Sequence, residues 1–510
     1  MNVAELTQAM AGHETTDGWD LVCCYTESKI NAFLAQKHKS GKLAQLALIK
    51  FSDTDAFTGE QIDYELDILL SEPTLQFIED DDQYCELLMI IRGGTYSRTI
   101  SGGDKHSIDI PKDIYQLICK VKLAGLKGDG SVYQKGESMI FTPGEPMDIH
   151  IYLHFENPDF ELRPVPDQEQ AAMKAGLLQP GVRSSIEDQI KDIFRGYVKD
   201  VDYAIGGVTN RKNEGSIALE PRSVSFSTSK VSGGGEGTLN LYVQTVNSGN
   251  DQGHDDKDFR PGGKAALPVP DGHNASLILS NGLFFKTYLT SQLNKLGWNI
   301  NDISGEEGVK AEFFKIKRLT IPGIHQNDGK IWLNSDDIVI DYGQVHYNLE
   351  FNNKDIHLTW RFEQDVRWNS EVRNVVPGQP VDITDDQGKI TVTITIDKHW
   401  PPAVSRDGLI SVDCSLTSGD YNIEVNGHYN KWFPSFAELF ENSLKAQLPG
   451  MFGNVSLQLQ GIDVFVVSNL LLPKDENNTP LYQFQFDQYH VPKDVLLIGN
   501  IVDLKEMKSK

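Results

Sequence analysis

The sequence predicts an α+β, β-rich fold in which antiparallel sheet covers an unusually apolar helix. Three observations predict it. Many segments alternate apolar and polar residues, the mark of strands with one buried face. One stretch, ASLILSNGLFFKTYLTSQLNKLGW from Ala275 to Trp298, runs from a short strand into an unusually apolar helix in a chain of strands. The order strand, helix, many strands occurs twice.

The first unit opens with GWDLVCCYT, where Trp19, Leu21, Cys23 and Tyr25 are expected on one strand face and Cys23 and Cys24 on opposite faces. Thr26 is expected to cap the helix ESKINAFLAQKHK, whose Ile30, Phe33 and Leu34 share a side. Strands follow in YELDILL, QYCELLMIIRGG, YQLICKVKLAGL and MDIHIYLHF, separated by Gly, Pro and Asp clusters. Ser185 is expected to start a helix, with Asp188 three residues on and Ile186, Ile190, Ile193 and Phe194 as its stripe. A polar, glycine-rich passage comes next, and VNSGNDQGHDDKDFRPGGK within it reads as an exposed loop.

In the second unit Leu277 and Leu279 read as strand and Ser280 as the N-cap of the apolar helix. Val345, Tyr347, Leu349 and Phe351 alternate with polar residues, as do Ile356, Leu358, Trp360 and Phe362, and as do Ile390, Val392, Ile394 and Ile396. Phe436, Leu439, Phe440, Leu444 and Leu448 form the stripe of a late helix, and GIDVFVVSNLLL and KDVLLIGNIV close the chain as strands. The expected domains are residues 1–200, a connecting region 201–270 and residues 271–510.

The 510 residues suffice for roughly two to four domains. A formal net charge of −25 points away from nucleic acid, whose phosphates need clustered Lys and Arg. No run approaches the roughly 20 apolar residues that span a bilayer, so no integral membrane association is expected. The N-terminus lacks a basic start followed by an apolar core, so the expected location is the bacterial cytoplasm or release without a signal peptide. The five cysteines are odd in number and show no C-x-x-C spacing, which reads as buried thiols of a reducing compartment.

The search for chemistry returns little. H-E-x-x-H, G-x-S-x-G, Walker and dinucleotide motifs are all missing, and no enzyme activity, cofactor or metal is expected. The cluster His254, Asp255, Asp256 and Asp258 lacks the EF-hand spacing and reads as a solvated acidic loop, as does Glu79 to Asp82 between two strands. His346 and His357 read as cross-strand polar partners. The positive signal is the apolar helices. Either they fill a core, or they line a slot in which each acyl CH₂ removed from water contributes about 0.8 kcal/mol. The candidate slot residues are Ile30, Phe33 and Leu34 in the first unit and Leu283, Phe285, Tyr288, Leu289 and Leu293 in the second.

ASLILSNGLFFKTYL resembles the strand-to-helix start of tubular lipid-binding (TULIP) modules, in which a strand, a Ser and an aromatic pair open the barrel helix. TDGWDLVCCYTESKINAFL, LPVPDGHNASLILSNGLFF and IDVFVVSNLLLP are similar to the clostridial forty-seven-kilodalton and OrfX proteins, accessory proteins of botulinum neurotoxin and insecticidal toxin clusters. The resemblance spreads from Trp19 to about Ile501 and brings no catalytic residues. It implies an elongated TULIP-type architecture of highly curved antiparallel sheets each wrapped around a long apolar helix, lipid or other apolar-ligand binding, and co-encoded toxin or accessory proteins as partners. Its alternative is a scaffold protein with fully packed barrels that binds a toxin component and carries no lipid.

Overall fold

The computed structural model describes residues 1–504 apart from 56, 80, 197–202, 211–218, 232–234, 247–252, 255–258, 296–298, 305–308, 315–316, 328–330, 343, 346, 352–354, 375–376, 378–381, 402, 405–409, 428–435, 450–454, 459–469 and 475–478. The fold is the expected β-rich α+β class, with long antiparallel sheets and few helices. It divides into two compact units. The first holds Met1–Ser280, Gln460–Gln488 and Leu496–Lys510, and the second holds Asn281–Leu459 and Tyr489–Val495. These differ from the three expected segments. The passage read as a connecting region supplies three strands of the first unit, Ala204–Thr209, Pro221–Ser229 and Thr238–Thr245, and Ala275–Leu279 belongs there too.

In the first unit, Leu21–Thr26 lies at the middle of a seven-stranded sheet. The order is Tyr482–His490, Val495–Asp503, Ala275–Leu279, Leu21–Thr26, Thr238–Thr245, Pro221–Ser229 and Met139–Ile140. The two strands that the sequence marks as starts of repeated units are therefore antiparallel neighbours, with Cys23 opposite Leu277. Leu21–Thr26 is buried on both faces. Val22 and Cys24 pack with Leu6, Met10, Trp19, Tyr242 and Ile278. Trp19 thus joins the Val22 face, contrary to its expected place beside Leu21 and Cys23. It precedes the strand, which begins at Leu21, so the strand's alternation does not govern it.

The second sheet of this unit follows the order Ala204–Thr209, Asp148–Pro164, Tyr115–Lys127, Asp81–Ile100, Gln61–Leu70 and Leu46–Thr54, with shorter strands pairing alongside. Its curvature has a local cause in Asp81–Ile100. Residues Tyr84–Ile90 pair with Tyr115–Lys127, whereas Gly94–Thr99 pair with Lys105–Ile110. At the changeover stand Gly93 (φ 120°) and Gly94 (φ 155°). A Cβ on Gly94 would lie 2.1 Å from the Asp67 carbonyl oxygen, so only glycine admits that close approach of two backbones.

Helix Glu27–Lys39 lies between the two sheets, touching Leu21–Thr26 of one and Thr74–Ile78 and Ala204–Thr209 of the other. Asn31 fixes it to the second sheet, donating to the Leu75 carbonyl at 3.0 Å and accepting from the Leu75 N–H at 2.7 Å. Lys37 Nζ donates to the Ala204 carbonyl at 2.8 Å. Thr26 occupies the N-cap, yet its hydroxyl bonds Ser28 Oγ at 3.0 Å instead of the helix backbone, and Glu236 accepts the Ser28 N–H.

A second helix, Pro180–Arg195, packs on Asp148–Pro164 and Leu46–Thr54. It begins at Pro180, so Ser185 lies inside it and does not cap it. Proline's fixed φ suits the first helical position, and that signal outranks the approximate box at Ser185. Ile186, Ile190 and Phe194 are fully buried as expected, while Ile193 is half-buried.

The second unit is built on a ribbon. Ile356–Asn374 and Asp382–Trp400 pair in unbroken register from Ile356 opposite Trp400 to Asn374 opposite Asp382. The expected alternation holds: Ile356, Leu358, Trp360, Phe362, Ile390, Val392, Ile394 and Ile396 are buried. Tyr347–Phe351 pairs with Ile356–Asn374, and Tyr421–Gly427 pairs with Asp382–Trp400. Under the ribbon the rings of Tyr342, Tyr347 and Trp360 pack with centroids 5.4 to 5.7 Å apart. Helix Phe436–Gln447 packs on Tyr421–Gly427 through buried Phe440 and Leu444. Leu439, expected in the stripe, is 39% exposed, because the contact face is set by the narrower i, i+4 row.

Candidate functional site

The candidate slot of the first unit is the inner stripe of helix Glu27–Lys39. Ile30, Phe33 and Leu34 at i, i+3 and i+4 all face into the fold, with 0%, 1% and 0% of their surface exposed. The Phe33 ring lies 4.8 Å from that of Tyr482, and the Lys29 ammonium stands 4.4 Å over the Tyr482 ring. On the neighbouring strand, a Cβ on Gly206 would come within 3.2 Å of both Tyr25 and Leu239. Side chains lining a channel wide enough for an acyl chain would keep surface that a water molecule could touch. Ile30 and Leu34 keep none.

The second group lies on Gly282–Leu289 and Thr290–Lys295. The first of these is wound as a π-helix, not the α-helix the periodicity predicts, and Thr290 N–H donates to the carbonyls of Phe285 and Thr287. Leu283 and Phe285 are fully buried, and the Phe284 and Phe285 rings meet edge to face at 4.8 Å. The side chains of Tyr288, Leu289 and Leu293 lie outside the described residues. The helix start is held by a distant segment. Asp494, buried, accepts the Asn281 N–H at 2.9 Å, and the Asn281 amide donates to the Lys493 carbonyl at 3.0 Å.

Of the acidic loop, only His254 is described; Asp255, Asp256 and Asp258 are not. His254 Nδ1 lies 3.1 Å from Asp17 Oδ1, and its carbonyl accepts the Trp19 indole N–H at 3.1 Å, so the residue ties the loop to the Trp19 turn. Of the acidic run Glu79 to Asp82, Glu79 is exposed at the turn after Thr74–Ile78, Asp80 lies outside the described residues, and Asp81 and Asp82 belong to the strand Asp81–Ile100, so the expected loop is shorter than the run. All five cysteines are free and buried. Burial raises each thiol, with Cys414 pushed up to about 12, which leaves none poised as a nucleophile.

His346 lies outside the described residues, but His357 sits in a polar cluster on the second unit's sheet. On the ribbon it is directly opposite His399, and the two rings stack with centroids 4.0 Å apart and planes 4° apart. Asp397 Oδ1 lies 2.7 Å from His357 Nε2 and 3.7 Å from His399 Nε2. Asp355 Oδ2 lies 2.8 Å from His399 Nδ1, and Glu350 Oε2 lies 3.9 Å from His357 Nδ1. The sequence reading found His357 as a cross-strand partner and missed the other four. The ribbon pairs His357 with His399, and the adjoining strand Tyr347–Phe351 sets Glu350 opposite His357.

No family model matches the chain, and no curated relative matches it. Among solved structures the chain is similar to P47 from Clostridium botulinum A2. The superposition covers 97% of this chain and 100% of that one, with a TM-score of 0.48 and 10% sequence identity.

Proposed function

We propose that the chain is a non-enzymatic accessory protein of a bacterial toxin cluster that acts through its surfaces as a scaffold or interaction protein, its sheets filled by its own side chains. The observation that supports the packed reading is the complete burial of Ile30, Leu34, Leu283 and Phe285 with no water-accessible surface, beside Phe33 at 1%. Carriage of lipid, the competing reading, needs the helix and sheet to stand apart along those side chains. The toxin setting rests on the resemblance of TDGWDLVCCYTESKINAFL and LPVPDGHNASLILSNGLFF.

Solvent extraction of the purified full-length chain followed by lipid mass spectrometry separates the two readings. The packed reading expects no lipid near one equivalent and no uptake of labelled fatty acid. One equivalent of co-purifying lipid would sink it and install the lipid carrier. Pull-down with the proteins encoded beside it tests the partner, and failure to retain any of them removes the scaffold role.

A further inference from the structure

The geometry points to a binding site for a divalent transition-metal ion of the zinc class on the polar face of the second unit's ribbon, with His357, Asp397 and His399 as ligands. Three observations carry it. First, the sheet itself sets the ligands. Ile356 and Leu358 are buried, so strand alternation turns His357 to the outer face, and register places His399 opposite it and Asp397 two residues back on the same face. Second, one ligand atom from each of the three residues lies within 4.8 Å of the others. The donor set is two imidazole nitrogens and one carboxylate oxygen, which suits zinc and its neighbours and is short of the oxygens that calcium or magnesium takes.

Third, the ring nitrogens turned away from Asp397 face carboxylates of their own. His399 Nδ1 meets Asp355 at 2.8 Å, and His357 Nδ1 faces Glu350 at 3.9 Å. A carboxylate on the far nitrogen holds a metal-binding histidine in the Nδ1–H tautomer, frees Nε2 as the ligand and raises its basicity. Asp355 accepts that proton directly from His399, and a small swing of Glu350 does the same for His357.

The stacked rings set the condition for binding. In-plane lone pairs of two parallel rings run side by side and do not meet at one point. One imidazole therefore turns about χ2, a soft torsion, to converge on the ion, and the bond from His357 to Asp397 opens to admit it. His399 is 51% exposed and free of the core, so it is the ring able to turn.

The test uses the full-length chain freed of metal with a chelator and titrated with zinc chloride by calorimetry. One equivalent is expected to bind, and zinc is expected to raise the melting temperature. His399→Ala and Asp397→Asn are expected to weaken binding at least about 10-fold and to remove the thermal shift, and Asp355→Asn to weaken it by about 10-fold. His106→Ala, at an exposed position in the other unit, leaves it unchanged. His399→Gln serves if His399→Ala melts early without metal. Absence of zinc uptake overturns the assignment, and so does uptake that His399→Ala and Asp397→Asn leave intact.

Discussion

The carboxylate of Asp20, fully buried, accepts both the backbone N–H and the hydroxyl of Thr245 through the same oxygen, at 2.6 and 2.7 Å. The Asp20 carbonyl accepts the Ser280 N–H at 2.8 Å. One residue just before Leu21–Thr26 therefore fixes the ends of both neighbouring strands, Thr238–Thr245 and Ala275–Leu279. Removing it leaves a buried N–H and hydroxyl without their charged acceptor. Asp20→Ala is expected to cost about 2–3 kcal/mol in chemical denaturation. A loss under about 0.5 kcal/mol, the level of an ordinary surface substitution, would show that the clasp is not what aligns these strands.

The bend at Gly94 gives a second expectation. An added methyl meets the Asp67 carbonyl oxygen at 2.1 Å, and the positive φ is unfavourable for any L side chain. Neither backbone can withdraw without breaking the pairing of Gln61–Leu70 with Asp81–Ile100. Gly94→Ala is expected to lower stability by about 2 kcal/mol or more. Gly130→Ala, in open space at a left-handed φ of 86°, carries a φ cost without a clash and is expected to cost about 1 kcal/mol. Equal melting temperatures for the two variants would mean that the clash at Gly94 relaxes freely.

Acid sensitivity is expected from clasped carboxylates. The guanidinium of Arg163, with that of Arg183 at 2.9 Å, holds the Glu161 carboxyl below the usual range against a smaller opposing effect of burial. Bonds from Lys105 and Lys50 do the same for Glu65. A carboxyl depressed in the folded state stabilises the fold fully above its unfolded value of about 4.3 and loses that contribution as the pH falls through the folded value. Melting temperature is therefore expected to fall with acidification below about pH 4.3. Glu161→Gln is expected to make the slope shallower in that window. An unchanged slope would assign the acid limb to other groups.

The five thiols supply a further readout. Each is buried and raised by burial, so each lacks both access and thiolate. A disulfide reagent at pH 8 is expected to titrate none in the native protein and all five in guanidinium chloride. Rapid native reaction of even one thiol would show local opening of the strand that bears it.

What the sequence made legible follows the range of the interactions involved. The segments Ile356–Phe362 and Ile390–Ile396 are legible because their period-2 alternation marks a strand, whereas the full length of the strands that hold them, Ile356–Asn374 and Asp382–Trp400, is not. The stripe Ile30, Phe33, Leu34 was readable for the same reason at period 3.6. The start at Pro180 was misread because Ser185 and Asp188 imitate a box locally. The π-winding of Gly282–Leu289 is not legible because apolar spacing over so short a run does not distinguish i+4 from i+5 hydrogen bonding. His357 meets Asp397 across 40 residues of sequence, and only ribbon register decides that pairing. The division into units was hidden likewise, since Ala275–Leu279 could have opened a new sheet and instead pairs with Leu21–Tyr25.

The last expectation bears on whether the helix stripe fills its sheet. Leu34 has 0% exposure, on a helix that Ala204–Thr209 and Thr74–Ile78 flank. If the space is packed to ordinary protein density, a larger side chain must displace its neighbours. Leu34→Phe is then expected to destabilise by about 1–3 kcal/mol, measured by equilibrium unfolding. Leu34→Ala is expected to cost about 2–5 kcal/mol, because the surrounding side chains close the cavity only in part. An open slot behaves otherwise. It accepts the phenylalanine with no loss or with a gain, since the added ring buries fresh apolar surface in room already present. The sign of the Leu34→Phe effect therefore separates a filled sheet from a tube, and it does so without any ligand being known.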